Sequence, residues 1–489
     1  MDRLALRVDA IAGECATSLA SRLGVANGED RLRSFCTHMG LPIKQLRLGD
    51  AGCLLRLSQL ADVELDALSA WTPKQNEAGY FDLGAERIKF SAFTRTSMRM
   101  CPTCVAEQGV HQKGIWQLSQ IRVCPDHRCL LQDLPRPALA DDQLDVMTCA
   151  RGVECGATAP VDLKSLGLQT YLIDRLQGRG TGGWLDEFPF HVVALSCEAF
   201  GLLLTQGARA VRANTTDLEW VYAGQAGFDV MRRGPQAFTD KLQAIEDANP
   251  TLSIAYRSRF WVFFEWLRDR RDDPAFDPIR DIMRDFIFRT YPVAAGAQVL
   301  GQRNPRRQVY DYKSMAKELR LNRVSLNKEL IRLGIAEGSF DKGTVYKQTR
   351  LVRAQEAEAI RQNLRRLLTA TAAANKLGIT RVLLGELVED GLIWPYFPKS
   401  PHPPVYHRRH TFVFYHHLTR NWQPYADTRD PIPLTTAAKT AGIPLREVIK
   451  QIYVHGLTIT KRKEDPPGIA GLFIGAKVWS EHLAQWKAH

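Results

Sequence analysis

The amino-acid sequence predicts a mainly α-helical, multidomain protein with a small metal-folded segment inserted early in the chain. Three observations carry this. Apolar residues recur at helical intervals over most of the length, two cysteine-bearing pairs stand close together, and the last third repeats one helix-pair pattern three times. At 489 residues the chain is too long for a single core. The expected division is an N-terminal helical, helix-turn-helix-like domain over 1–95, a zinc-binding domain over 96–160 and a helical middle domain over 161–300. Two helix-turn-helix units follow over 301–400, the first of them basic, and a third helix-turn-helix or winged unit over 401–489.

The first 95 residues carry Leu19, Leu23, Leu32 and Phe35, then Leu54, Leu57, Leu60, Leu65 and Leu68, at helix-like spacing. Acidic and basic residues nearly balance here, which suits contact with protein better than with phosphate.

Cys101-Pro-Thr-Cys104 and Cys124-Pro-Asp-His127 are separated by 19 residues. Three thiolates and one imidazole make a soft donor set, three sulfurs and one nitrogen, for tetrahedral Zn²⁺. Four protein ligands leave no position for a reacting water, so a structural site is expected. A redox Cys-x-x-Cys would need no second pair. Pro102 and Pro125 fix φ in the tight turns that aim each pair. Between the pairs, Trp116, Leu118, Ile121 and Val123 alternate as a short strand would. Cys129, Cys149 and Cys155 lie farther on. The last two are spaced Cys-x5-Cys, and a second zinc near Cys149 and Cys155 would need a fourth ligand that the sequence does not name.

Over 161–300 the pattern is helical. Ile279, Ile282, Met283, Phe286 and Ile287 form one apolar stripe after a Phe276-Asp277-Pro278 start signal, and the aromatic run Phe260 to Trp266 reads as packed core. The apolar stretch His191 to Leu204 is too short to span a membrane and contains Glu198, so it reads as a buried helix.

In the last third, Ala316 to Arg323, Ala374 to Arg381 and Ala438 to Arg446 align, and each runs into a second amphipathic helix ending near Gly334, Gly391 or Gly456. This is the pattern of a helix-turn-helix. Strand-like residues follow: Ser339 to Tyr346 with an Asp341-Lys342-Gly343 turn, and Leu457 to Thr460 set to pair with Leu472 to Ile474, as in a winged helix. Pro398 to Pro404 reads as an extended linker.

Charge separates the three units. The formal net charge is +12, and residues 301–350 hold 12 Lys or Arg against 5 Asp or Glu, so an anionic partner such as double-stranded DNA belongs at the first unit. Its candidate contacts are Arg306, Arg307, Arg323, Ser325, Lys328 and Arg332. The third unit offers Arg446, Lys450 and Gln451 with Lys461, Arg462 and Lys463 in its wing. In the second, Glu386, Glu389 and Asp390 would oppose phosphates, which points to bracing or protein binding.

No catalytic residues emerge. Gly296 to Arg303 has the glycine spacing of a phosphate loop without its Lys and Ser or Thr, and neither His-Glu-x-x-His nor Gly-x-Ser-x-Gly occurs. Met1-Asp2-Arg3 leads into a charged segment with no secretory signal, so a cytoplasmic location is expected, with no membrane partner.

Several segments together resemble the TniQ/TnsD family of bacterial transposition proteins. They are Gly13-Glu14 with Ser18-Leu19-x-Ser21-Arg22-Leu23, then Cys101-Pro-x-Cys104, Ile115-Trp116-Gln-Leu and Cys124-Pro-Asp-His127-x-x-Leu130-Leu131, and Ala226-Gly227-Phe228 with Gly234-Pro235. The resemblance implies a non-enzymatic, nucleoid-associated target-site selector. Such a protein recognises DNA itself or rides on an RNA-guided complex, and recruits an AAA+ ATPase that in turn brings the transposase. The long C-terminal extension is similar to the TnsD-type members that read an attachment site themselves. The competing reading is a winged-helix transcription regulator with a structural zinc and no transposition partner.

Overall fold

The computed structural model describes residues 3–94, 97–137, 144–154, 156, 159–248, 255–334, 351–397 and 403–487. The Ser339 to Tyr346 hairpin, Cys155 and most of the Pro398 to Pro404 linker lie outside them. The chain forms two compact units, up to Arg306 and from Arg307 onward, both built largely of helices.

The first unit begins with α1 (Ala16–Ala26), α2 (Leu32–His38), α3 (Ile43–Arg47), α4 (Ala51–Ala61) and α5 (Leu65–Ala70). Leu19, Leu23, Phe35, Leu54 and Leu57 close one small core, as their spacing predicts. The helical reading of this stretch stops short of a three-stranded antiparallel sheet: β1 (Lys74–Glu77), β2 (Tyr80–Leu83) and β3 (Glu86–Lys89), paired in that order. Phe81, Leu83 and Ile88 turn into the core while β1 lies largely exposed, so its Lys-Gln-Asn-Glu carries no apolar signal.

The cysteine segment holds β4 (Arg99–Met100), α6 (Pro102–Gln108), β5 (Gln132–Asp133) and α7 (Val146–Cys149). The strand expected over Trp116 to Val123 does not form. A 3-10 helix spans Gly114–Gln117, and all four apolar residues are buried, because this stretch is wrapped on every side and alternation loses its meaning. The following helices are α8 (Gly167–Leu176), α9 (Phe190–Gln206), α10 (Asp217–Met231), α11 (Pro235–Asp247), α12 (Tyr256–Arg268) and α13 (Asp277–Thr290), with a small ladder of β6 (Gln298–Val299) and β7 (Gln302–Arg303). They share one continuous core with the cysteine segment. α9 is buried along almost its whole length and packs closely on α10. A Cβ at Gly227 would sit 1.9 Å from the Cys197 carbonyl oxygen, so glycine is what lets these helices touch.

The second unit repeats one plan three times: strand, two helices joined by a short turn, return strand, third helix. In the first repeat these are β8 (Val309–Tyr310), α14 (Tyr312–Leu319), α15 (Arg323–Arg332), β9 (Val352–Arg353) and α16 (Ala354–Leu364). In the second they are β10 (Leu367–Thr369), α17 (Ala370–Leu377), α18 (Arg381–Glu389), β11 (Val405–His407) and α19 (Arg408–Leu418). The third has β12 (Pro431–Pro433), α20 (Leu434–Ala441), α21 (Leu445–His455), β13 (Ile459–Thr460), β14 (Phe473–Gly475) and α22 (Ala476–Lys487). Outer strands pair antiparallel in every repeat, and Ile459 and Thr460 face Ile474 and Phe473 as the sequence predicts. Asp311, Asn322, Thr369 and Thr380 cap their helices by accepting a backbone N–H three residues on. The third helix of each repeat is the element that sequence reasoning missed. No helix among the described residues is long and apolar enough to cross a membrane.

Candidate metal centre

Cys101 is the N-cap of α6, with Pro102 at the first helical position. This start turns Cys104 back on Cys101, and the Cys104 backbone N–H donates to the Cys101 Sγ at 3.4 Å. The second pair sits in a tight turn closed by the Arg128 N–H on the Cys124 carbonyl, 2.8 Å, and flanked by the Val123–Leu130 bridge. Arg128 takes a left-handed φ of 57° to complete it.

The two turns bring Cys101, Cys104, Cys124 and His127 together, with their ligand atoms all within 4.8 Å of one another. His127 Nδ1 lies 3.6 Å from Cys101 Sγ, 3.2 Å from Cys104 Sγ and 3.7 Å from Cys124 Sγ, and the last two sulfurs are 3.6 Å apart. A tetrahedral zinc with its usual bond lengths sets ligand atoms roughly 3.5–3.8 Å apart. The four predicted residues therefore fit a zinc ion in both donor type and spacing.

Without a metal the thiolate forms of this group are disfavoured. A hydrogen bond with Cys124 and burial push the Cys101 thiol up to about 12, and burial beside Cys101 does the same to Cys104. Burial alone would lower the His127 pKa, yet its contacts with Cys101 and Glu107 outweigh that and raise it. A divalent cation resolves the conflict by favouring thiolates.

Two neighbours join the group: Glu107, which carries no sequence signal of its own, and Cys129, which the sequence sets with Cys149 and Cys155. Glu107, one turn beyond Cys104 on α6, lies 3.1 Å from His127 Nε2, so the imidazole donates there and turns Nδ1 toward the thiols. Cys129 Sγ lies 3.4 Å from Cys101 Sγ as a further thiol beside the group. Cys149 is buried in α7, and among the described residues the Cys101 group is the one cluster with metal-ligand geometry.

The centre is joined to its surroundings by charge and by glycine. Lys113 reaches Asp126 at 2.6 Å. Arg122, buried, pairs with Glu198 of α9 and with Asp217 of α10 at 3.1 Å. On the other side the Glu14 carboxylate accepts from Ser18 Oγ at 2.6 Å and Arg22 Nη1 at 2.7 Å, while Ser18 Oγ accepts from the Gln112 N–H at 2.9 Å. Ser21 Oγ donates to Asp145 at 2.5 Å. A Cβ on Gly114 would lie 1.9 Å from the Trp71 carbonyl oxygen, so the chain passes here only as glycine.

The candidate DNA contacts fare unevenly. Arg306 is exposed, Arg307 stacks over Tyr310 at 5.1 Å, and the Arg323 side chain lies outside what the structure describes. Lys328 is half-buried, and Arg332 is ion-paired with Glu329 at 2.9 Å. Ser325 is buried and cannot reach a partner in this conformation. In the third repeat Arg446 and Lys450 are partly exposed, with Arg446 4.0 Å from Glu389. Gln451 is buried, donating to Glu447 at 2.8 Å and meeting His482 of α22 at 2.9 Å. Lys461 is partly exposed and Lys463 exposed, while Arg462 is held over the Tyr425 ring at 4.2 Å.

Fold and site together define a mainly helical protein with a closed, buried centre of three cysteines and one histidine between a small N-terminal helical core and a larger helical body. A family model described as TniQ matches residues 5–131, a span that begins before α1 and ends just after the Cys124 turn. The match supports the TniQ family, whose domain is associated with the selection of transposition targets. No curated protein matches the chain.

Proposed function

We propose that the chain is a non-enzymatic target-site selector for DNA transposition, of the TnsD type that reads its own site. The observation that carries this is the complete group of three thiols and one imidazole lying within the segment matched to TniQ, in a chain whose second unit repeats a helix pair three times. Zinc held by Cys101, Cys104, Cys124 and His127 would be structural: its shell is full, which leaves no position for a substrate or an activated water.

The helix pairs of the second unit act as helix-turn-helix modules, the third with a wing formed by β13 and β14. Arg306, Arg307, Lys328 and Arg332 in the first repeat and Arg446, Lys450, Lys461 and Arg462 in the third supply cations to the phosphate backbone of double-stranded DNA. Ser325 and Gln451 are left out of this interface, since both are buried. The near-neutral N-terminal helices meet an AAA+ ATPase, which brings the transposase, and the protein works in the cytoplasm at the nucleoid. Footprinting of the full-length protein on a library of double-stranded DNA tests the reading. A discrete protected site supports self-directed targeting, sequence-blind and salt-sensitive binding transfers selection to a guiding complex, and failure to bind DNA overturns the proposal.

A further inference from the structure

The second repeat lacks a basic reading helix, because α18 carries Glu386 and Glu389. Its opposite end has the reverse character. Residues 391–426 contain no Asp or Glu at all, and within them α19 opens with Arg408-Arg409. Register places this start beside the end of α16: Leu367 faces His407 across the β10–β11 ladder, and the Arg408 N–H donates to the Arg366 carbonyl at 3.0 Å. Arg365, Arg366, Arg408 and Arg409 thus lie together on two adjoining chain turns. All four are exposed, and none has an ion pair among the described residues.

The ground beneath them is ordered and adds no net negative charge. His407 stacks on Tyr396 with centroids 5.6 Å apart and lies 5.6 Å from His410. Asn363 donates to the Tyr396 hydroxyl and, at 3.2 Å, to Glu329. Glu329, the acidic group at this junction, is buried and engaged by Arg332. Burial lowers the pKa of both histidines; His410, Arg366 and Arg332 lower that of His407 further against the pull of Glu329, and Arg409 lowers that of His410.

We propose that Arg365, Arg366, Arg408 and Arg409 form a phosphate-backbone contact through which the second repeat holds double-stranded DNA, from its strand-end face and not from its second helix. Guanidinium groups on hydrogen-bonded strand ends suit a polyanion of fixed phosphate spacing, and such contacts fix register without reading sequence. An acidic protein is the competing occupant. The proposal rests on the DNA-binding reading above and removes the second repeat from a purely bracing role.

The test compares full-length wild type with Arg365→Gln/Arg366→Gln/Arg408→Gln/Arg409→Gln, the matching four-lysine variant, and Lys450→Gln/Lys461→Gln/Arg462→Gln in the third repeat. Each is titrated with one DNA duplex across a salt series. The four-glutamine variant is expected to bind more weakly, with the slope of log affinity against log salt shallower by about 0.9 for each phosphate it no longer neutralises, so roughly 2 to 4 in all. The lysine variant is expected to keep most of the wild-type slope. A wild-type slope in the four-glutamine variant, beside a shallower one in the third-repeat variant, overturns the second-repeat contact and leaves the DNA reading standing, as an acidic protein partner would require. Equal weakening in the lysine and glutamine variants assigns the arginines a structural role and overturns the contact too. Absence of salt-dependent binding by wild type removes both.

Discussion

Glu107 lies 3.1 Å from His127 Nε2, and this contact decides which imidazole nitrogen faces the three sulfurs. A carboxylate behind a ligating histidine fixes its tautomer and raises its basicity. The sequence places Glu107 three residues after Cys104, on the same face of α6, so one helical turn supplies both a ligand and the support for another.

Glu107→Gln should keep the fold and weaken the hold on zinc by about 10- to 100-fold. Competition with a chromophoric chelator measures this. Retention equal to wild type would show that the carboxylate does not tune the site.

Zinc uptake should be steeply pH-dependent. Without metal the Cys101 and Cys104 thiols are pushed up to about 12, so both are protonated near neutrality and must release their protons on binding. These two groups alone make log affinity rise by about two for each pH unit. Affinity measured from pH 6 to 8, or proton release measured in buffers of different ionisation enthalpy, reports the number directly.

His191, buried between the rings of Tyr80 and Phe276, makes the first unit acid-sensitive. Burial lowers its pKa from 6.5 to about 4, against the pull of Asp273 and with help from Lys89. As pH falls through 6.5 the unfolded chain takes up a proton that the folded chain refuses until about 4. The stabilisation is therefore complete above pH 6.5 and lost across that window, by about 3 kcal/mol. The urea midpoint of wild type should fall relative to that of His191→Leu as pH drops from 7.5 to 4, and a pH-independent difference between the two would contradict this.

Gly114→Ala and Gly227→Ala should each destabilise by about 1–3 kcal/mol or more, since the added methyl meets a backbone carbonyl in both. Gly385→Ala is the opposite case. It lies inside α18 with nothing within 4 Å of the new methyl, and should be neutral or stabilising by up to about 1 kcal/mol. Thermal melts of the three variants order them.

What can be read from sequence follows from how local each signal is. The four ligands are legible because two tight turns fix their spacing within a few residues, and α13 is legible because Ile279, Met283, Phe286 and Ile287 recur at helical intervals and are buried. Glu14, Ser18, Ser21 and Arg22 are legible as a motif but not as a purpose. Their partners Gln112 and Asp145 are about a hundred residues away, and only the folded chain shows that the motif ties α1 to the cysteine segment. Gln451 reads as a contact residue only while its helix is viewed without α22, which covers it. Ser325 fails for a related reason: it and Glu329 are buried alongside the Leu326–Leu330 stripe, so the covered face is wider than its apolar residues. The Arg366–Arg408 juxtaposition depends on the β10–β11 register, which no short window contains.

The central claim is a zinc ion held by Cys101, Cys104, Cys124 and His127. X-ray absorption at the zinc edge on the purified full-length protein tests it most directly. The prediction is three sulfur ligands at about 2.3 Å and one nitrogen at about 2.0 Å, with this shell lost in Cys104→Ser. Protein purified in zinc-containing medium that carries no zinc, or an oxygen-rich shell unchanged by Cys104→Ser, would contradict it.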